Sequence, residues 1–349
     1  MKIKSLSILV IFLLIGAGMY FVSASKNNIN TSEKIGSPIM QNLQAKLNDV
    51  SELQLIGAGE QVLSTLQRTP DGWTVKERNH FPADVSKIRA TLLNLAEAKI
   101  IEQKTANSDL YVKLGLEDIS AADAQGVKAL IHIQGESLPD ELIIGNPGPQ
   151  INKSRYVRLA NSETSWLIDR KIDLNHTPEY WLRKDILNIE PKEIDAVTIL
   201  LKDGSRLEIK KSSSDKSVFE VANLTNPESQ VVAAELDQVT NAMSAFQLLD
   251  IADNADFDGK EADMQVSYLL SSGAIVNLKA YELKSDHFAS LDYGLVQNIT
   301  AEQKPQAEKY VNQLKALTSG WIYKIPNVTY DSMYKREADV LAITEDQLN

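Results

Sequence analysis

The sequence contains no cysteine. That absence removes disulfides, thiolate nucleophiles, iron–sulfur clusters, thiolate zinc sites and lipid attachment at a cysteine together. It leaves the compartment open, because exported proteins without disulfides are common. Histidine is nearly as scarce: His80, His132, His176 and His287 are scattered, and no two stand at metal-ligand spacing. No Gly-x-Ser-x-Gly, His-Glu-x-x-His or Gly-Lys-Ser/Thr motif occurs, so the usual hydrolase, metalloprotease and phosphate-loop signatures are missing. Positive charge is also short. With 36 Lys and Arg against 47 Asp and Glu, the net charge is -11 and no basic face is visible, which argues against a nucleic-acid partner.

Long hydrophobic runs are absent with one exception. Behind Lys2 and Lys4, Leu6 to Val22 carries no charge. Its length is near the lower limit for crossing a hydrocarbon layer of roughly 30 Å at about 1.5 Å per residue. The pattern predicts one N-terminal transmembrane helix, meeting the membrane through residues 6–22. The lysines belong on the cytoplasmic side, which places a single-pass protein in the inner membrane with its C-terminal bulk in the periplasm. Val22-Ser23-Ala24 also fits a signal-peptide cleavage site, so residues 1–25 read as an anchor or a signal segment. Either reading exports the remainder.

What is present is an ordinary globular composition, 43% apolar and 24% charged, in 349 residues, enough for two domains that each bury a core. Residues 26–49 read as a polar linker and a short helix with Met40, Leu43, Leu47 and Val50 at helical spacing. Residues 50–190 read as a first module. Leu53 and Leu55 mark a strand, Gly57 and Gly59 a turn, Val62 to Gln67 a second strand, and Thr69-Pro-Asp-Gly a turn before the strand at Trp73. A helix follows, with Pro82 in its first turn, Asp84 at its positive end, and Val85, Ile88, Leu92 and Leu95 on one face. Strands are expected at Val127–Ile133, Glu141–Ile144, Tyr156–Leu159 and Trp166–Ile168, and a connecting helix over Asn175–Leu187.

Residues 191–349 read as a second copy ending in a charged tail that frays beyond Asp339. Val50, Leu53, Leu55 and Leu63 find counterparts at one constant interval in Ile194, Val197, Ile199 and Leu207. Trp73 and Val75 correspond to Phe219 and Val221, and Ile88, Leu92 and Leu95 to Val232, Leu236 and Val239. Matched switches between a period of two residues and a helical period are the signature of a reused module. Later strands are expected at Gln265–Leu270, Ala274–Tyr281 and His287–Leu291, then a helix over Ala301–Thr318 with Tyr310, Leu314 and Leu317 inward. The fold class expected is α+β: two related modules of mostly antiparallel sheet with packed helices, after one N-terminal transmembrane helix.

Trp73, Pro82-Ala83-Asp84, Gly115-Leu116, Ile144-Gly145 and Tyr156-Val157-Arg158, following an N-terminal anchor, resemble the bacterial domain of unknown function 4340. The second copy departs from the pattern, with Pro227-Glu228-Ser229 for Pro-Ala-Asp and Asp258-Gly259 near the place of Gly-Leu. The resemblance implies no catalytic residue. It implies partners in a membrane complex, an ABC-type permease and auxiliary subunits of the gliding-motility kind.

Among the polar clusters, Asn254, Asp256 and Asp258 stand at the first, third and fifth positions of a calcium-type loop with Gly259 at the sixth. The twelfth is Gln265, where a bidentate Glu belongs. Gly145-Asn-Pro-Gly-Pro149 reads as a rigid turn, since its prolines offer no amide hydrogens. Trp321, Tyr323, Tyr330 and Tyr334 crowd the end of the chain, as core packing or as a partner surface. No cofactor is expected. The sequence supports a non-enzymatic, membrane-anchored accessory or scaffold subunit. The alternatives are an envelope binding module for a glycan, peptide or cation, and an unrecognised hydrolase.

Overall fold

Apolar residues at Val50, Leu53 and Leu55 bury one face of strand β1 (Val50–Ile56), and the first half of the chain is built outward from it. The computed structural model describes residues 34–149, 153–172 and 174–342. The chain forms two compact units that divide between Leu182 and Arg183, earlier than a boundary at 190.

In the first unit, helix α1 (Leu43–Lys46) and a 3-10 turn lead into β1. Strands β2 (Val62–Thr69), β3 (Gly72–Val75) and β4 (Phe81–Pro82) follow, then helix α2 (Val85–Glu97) and β5 (Ile100–Gln103). The unit ends with β6 (Val127–Ile133), β7 (Asp140–Pro147), β8 (Arg155–Leu159) and β9 (Ser165–Ile168). These make one nine-stranded sheet in the order β4-β3-β2-β1-β6-β7-β8-β9-β5. Every pairing is antiparallel. Ile88, Thr91, Leu92 and Leu95 turn one face of α2 inward.

The second unit opens with β10 (Asp185–Leu187), β11 (Ile194–Leu201), β12 (Arg206–Lys211) and β13 (Phe219–Val221), then helix α3 (Ala233–Asn241). Next come β14 (Phe246–Gln247), β15 (Asp250–Ala252), β16 (Met264–Leu270), β17 (Ala274–Leu283) and β18 (Asp286–Leu295). Helix α4 (Lys304–Thr318), β19 (Ile322–Ile325) and helix α5 (Asn327–Met333) complete it. Its eight-stranded sheet runs β13-β12-β11-β16-β17-β18-β19-β15, and β10 pairs with β14 apart from it.

The two sheets share strand order from β3/β13 to β5/β15, and their registers agree. Leu53 lies between Leu66 and Ile131, as Val197 lies between Ile209 and Tyr268. Trp73 faces Arg68 where Phe219 faces Lys211. Both central strands shift register near their start, between Val50 and Glu52 and between Ile194 and Ala196. Even the helix entrances match: the Asp84 amide donates to the Trp181 carbonyl (2.7 Å) and the Val232 amide to the Val340 carbonyl (2.9 Å). Beside them Ala83 bridges Leu182, and Val231 bridges Leu341.

Register also corrects the pairing read from sequence. Leu55 faces Ser64 and Ile199 faces Leu207, so Leu207 stands in the place of Ser64, and Leu63 is only half-buried. The cause is an irregularity after Leu55 that the second copy lacks. Val232 holds the N-cap position of α3, as Asp84 does for α2, so Ile88, Leu92 and Leu95 match Leu236, Thr240 and Met243. A longer loop ahead of α3 produces the offset.

Other expectations change for local reasons. Pro82 belongs to β4, because Asp84 caps the helix and leaves Val85 as its first, exposed residue. The connecting helix over Asn175–Leu187 does not form. Pro178–Trp181 is a 3-10 turn, and Asp185–Leu187 is drawn into pairing with Phe246–Gln247. Helix near Met40 is confined to Leu43–Lys46. In α4 the buried stripe is Ala307, Val311, Leu314 and Thr318, which leaves Leu317 53% exposed. Residues 340–342 are held past Asp339, since Val340 is buried and the Ala342 amide donates to the Gln230 carbonyl (2.8 Å), and the rest of the expected tail lies outside the described residues. No described helix is long and apolar enough to cross a membrane, and Leu6–Val22 lies outside the described residues.

Candidate functional site

Of the residues quoted for the family resemblance, Gly115, Leu116, Gly145 and Arg158 meet in the first unit, while Trp73 and Pro82–Asp84 stand on β3, on β4 and at the start of α2. The 3-10 helix Ser108–Lys113 is capped by Asn107, whose side chain accepts from the Asp109 amide, and it ends at Gly115 with φ +65. That turn lies against β7 at backbone distance. A Cβ at Gly126 would come within 2.5 Å of the Gly115 carbonyl oxygen, and one at Gly145 within 2.6 Å of the same atom. Leu116 fills the adjoining core with Ile56, Tyr111, Ile119 and Ile143. Arg158 is buried and donates to the Leu116 carbonyl (3.2 Å), the Ser162 carbonyl (3.2 Å) and the Asp118 carboxylate (2.5 Å), with its guanidinium over the Tyr111 ring. Asp84 caps α2 by accepting from the Ser86 and Lys87 amides. Each of these side chains serves the fold.

A cleft of about 630 Å3 opens beside this core, under the segment Leu174–Tyr180. Gln125, Asn146, Arg155, Asn175, His176 and Thr177 bring polar groups to it, and none of the described residues lining it is acidic. Most of these groups also fix the segment. Asn175 accepts from the Thr177 amide and hydroxyl, both at 3.0 Å, and its carbonyl takes the Trp181 indole N–H at 2.8 Å. Arg155 donates to the carbonyls of Gly145 (3.3 Å) and Ile172 (3.1 Å). Lys87 donates to the Tyr180 carbonyl at 2.8 Å and lies over the Tyr180 ring. Among the described lining residues, the amide, guanidinium and imidazole donors suit retention of a neutral or anionic group. They do not form a nucleophile and base pair.

The calcium-type loop is the second unit's version of the Asn107–Gly115 turn. Asp253 caps a 3-10 helix at Asn254–Phe257 by accepting from the Ala255 amide, and Gly259 follows with φ +72. Phe257 turns inward onto Tyr281 and Phe288. Asn254 donates its side-chain amide to the Gly320 carbonyl (3.0 Å), while Asp256 and Asp258 are exposed. Among the described residues no three His, Cys, Asp or Glu side chains gather as a metal site. Capping accounts for Asp253 and the left-handed turn for Gly259.

Of the aromatic residues near the end of the chain, Trp321 and Tyr334 are half-buried and the other two are core. Tyr323 and Tyr330 are buried, and the Tyr323 hydroxyl donates to the Thr318 carbonyl at 2.5 Å. Burial also pushes the Tyr293 hydroxyl up to about 12, although its bond with Thr318 opposes the shift. Gln125 and Asn175–Thr177 lie on irregular segments that carry no periodicity, and Asn146 and Arg155 stand near the ends of β7 and β8, so no pattern in the sequence gathers them.

Fold and site together define an α+β protein of two antiparallel-sheet modules whose marked residues are structural. The family profile described as Domain of unknown function (DUF4340) matches residues 73–272, and the chain belongs to that family. The match starts at Trp73 in the first unit and ends between β16 and β17 of the second. No curated protein and no solved structure matches the chain.

Proposed function

We propose that this protein works without catalysis, as a membrane-anchored accessory or scaffold subunit of an envelope complex of the ABC-type transport kind. Residues 6–22 serve as the anchor and both modules lie in the periplasm. The observation that carries this reading is the use made of the family's marked residues. Trp73, Asp84, Gly115, Gly145 and Arg158 pair strands, cap a helix, admit close backbone contact or fill the core. A module that selection repeats for its shape is suited to holding partners. Purification of the full-length chain from membranes in mild detergent tests the reading. A permease or other membrane subunit is expected to co-purify in fixed ratio, and repeated recovery of the chain alone would overturn it.

The cleft of about 630 Å3 favours a second reading, a module that binds an envelope glycan or peptide through neutral donors and Arg155. Retention of such a ligand by the purified chain, lost on Asn146→Ala, would support it over the first.

A further inference from the structure

A second depression of the first unit, of about 430 Å3, runs between α2 and the β2–β3 hairpin. Buried Ile88 and Leu92 lie at its base, Trp73 lines it, and Val85 and Leu93 stand open at 42% and 37% exposure. Arg68 and Arg89 flank it, both exposed, and none of the described residues lining it is acidic. In a chain whose net charge is -11, this is an apolar groove with a positive rim.

The second unit serves as an internal control, because matched registers say which residue stands where. Ala233 replaces Val85, Thr240 replaces Leu92 and Asn241 replaces Leu93. Asp237 takes the place of Arg89. Lys211, at the position of Arg68, is paired with Asp195 at 3.4 Å, where the first unit has Ser51. The module therefore folds with Ala233, Asn241 and Asp237 where the first unit has Val85, Leu93 and Arg89, so folding does not account for these three. Arg68 donates to the Asn48 carbonyl and presents the rest of its exposed guanidinium to the groove. Exposed apolar side chains gathered in one place mark an interaction surface.

We infer that this groove docks a short segment of a protein partner, one that sets two or three apolar side chains on Ile88 and Leu92 between acidic residues facing Arg68 and Arg89. The occupant follows from charge complementarity and from the room available, which holds roughly two or three aliphatic side chains. The inference rests on the accessory-subunit reading and names the surface that reading needs.

The test places a photoreactive benzoylphenylalanine at Val85 or Leu93 of the full-length chain in its membrane, with Ala233 and Asn241 as matched controls. Adducts are sequenced by mass spectrometry. The inference expects adducts from the first pair only, to one protein segment that carries both apolar and acidic residues. Arg68→Glu with Arg89→Glu should cut their yield about tenfold while the melting temperature holds. Adducts to lipid, to a second copy of this chain or to a segment without acidic residues would overturn it. So would equal yields from both pairs, no adduct, or a yield indifferent to charge reversal. The co-purification experiment separates the two claims. Loss of the partner from the Arg68→Glu, Arg89→Glu, Leu93→Asp chain supports the groove, and undiminished recovery overturns the groove while leaving the accessory reading intact.

Discussion

At Gly145 the first module has no side chain, and at Tyr281, the same register position of the second, it has one of the largest. In the first module the turn at Leu114–Leu116 comes down onto β7 backbone to backbone, and the neighbouring core is aliphatic with Tyr111. In the second, the turn at Phe257–Gly259 stays further out, and Phe257, Tyr281 and Phe288 fill the space with ring centroids 5.0–5.3 Å apart. Strand order and register specify the module, while the contact between sheet and turn has two solutions. One copy of a duplicated fold is thereby freed to differ where the other is constrained.

This comparison can be broken at either end. Gly145→Val should cost the first unit about 4 kcal/mol or more, since the new side chain must displace main chain. Tyr281→Ala should cost the second about 3 kcal/mol as a cavity, with the rest of the protein unaffected. Urea unfolding monitored separately for each unit reads both, and equal tolerance at the two positions would show that register does not equate them.

Arg158 gives the next largest effect. Arg158→Met leaves the buried Leu116 carbonyl, the half-buried Ser162 carbonyl and the exposed Asp118 carboxylate without their donor, and a loss of about 2–3 kcal/mol is expected in the first unit. The corresponding position in β18 is Ser290, so Ser290→Ala should change stability by under about 0.5 kcal/mol.

Helix capping gives a smaller and reversible contrast. Asp84→Ala should destabilise by about 1 kcal/mol. Val232 makes no side-chain cap, so Val232→Asp should gain up to about 1 kcal/mol by restoring the missing acceptor. The pair together tests whether the two helix entrances are equivalent.

The smallest effect is acid sensitivity at the β11–β12 turn of the second unit. Hydrogen bonds from Ser205, its hydroxyl first and then its amide, followed by Arg336, lower the Asp203 carboxyl from 3.8 to about 2. A carboxyl lowered on folding contributes stability above its unfolded value. That contribution fades as pH falls from about 4 through about 2. Asp203→Asn should therefore remove that contribution at neutral pH, where it is fully present, and flatten the acid limb so that the two stability profiles converge near pH 2.

Much of this architecture was legible because sheets with one buried face impose a period of two. Val50, Leu53 and Leu55 announce β1, and Trp73 and Phe219 match by pattern alone. The illegible parts are those decided by partners distant in sequence. Ile101 and Glu102 face outward, so β5 shows no alternation and exists through its pairing with Trp166 to Ile168. Asp185–Leu187 looks helical alone and is a strand because Phe246–Gln247 lies beside it. Val85 fits the apolar stripe of α2 by spacing, yet the cap at Asp84 turns it outward, and only comparison with Ala233 gives that exposure meaning. The glycines at 115, 126 and 145 are uninformative singly, and their collisions with one another explain them.

The central claim is that each unit closes around an interior of its own. Residues 34–182 and 183–349, produced separately and unfolded in urea under circular dichroism, test it most directly. Two cooperative transitions, with near-ultraviolet signals that sum to that of the whole chain, are predicted. Fragments that melt without a transition, or that regain tertiary signal only when mixed, would contradict it.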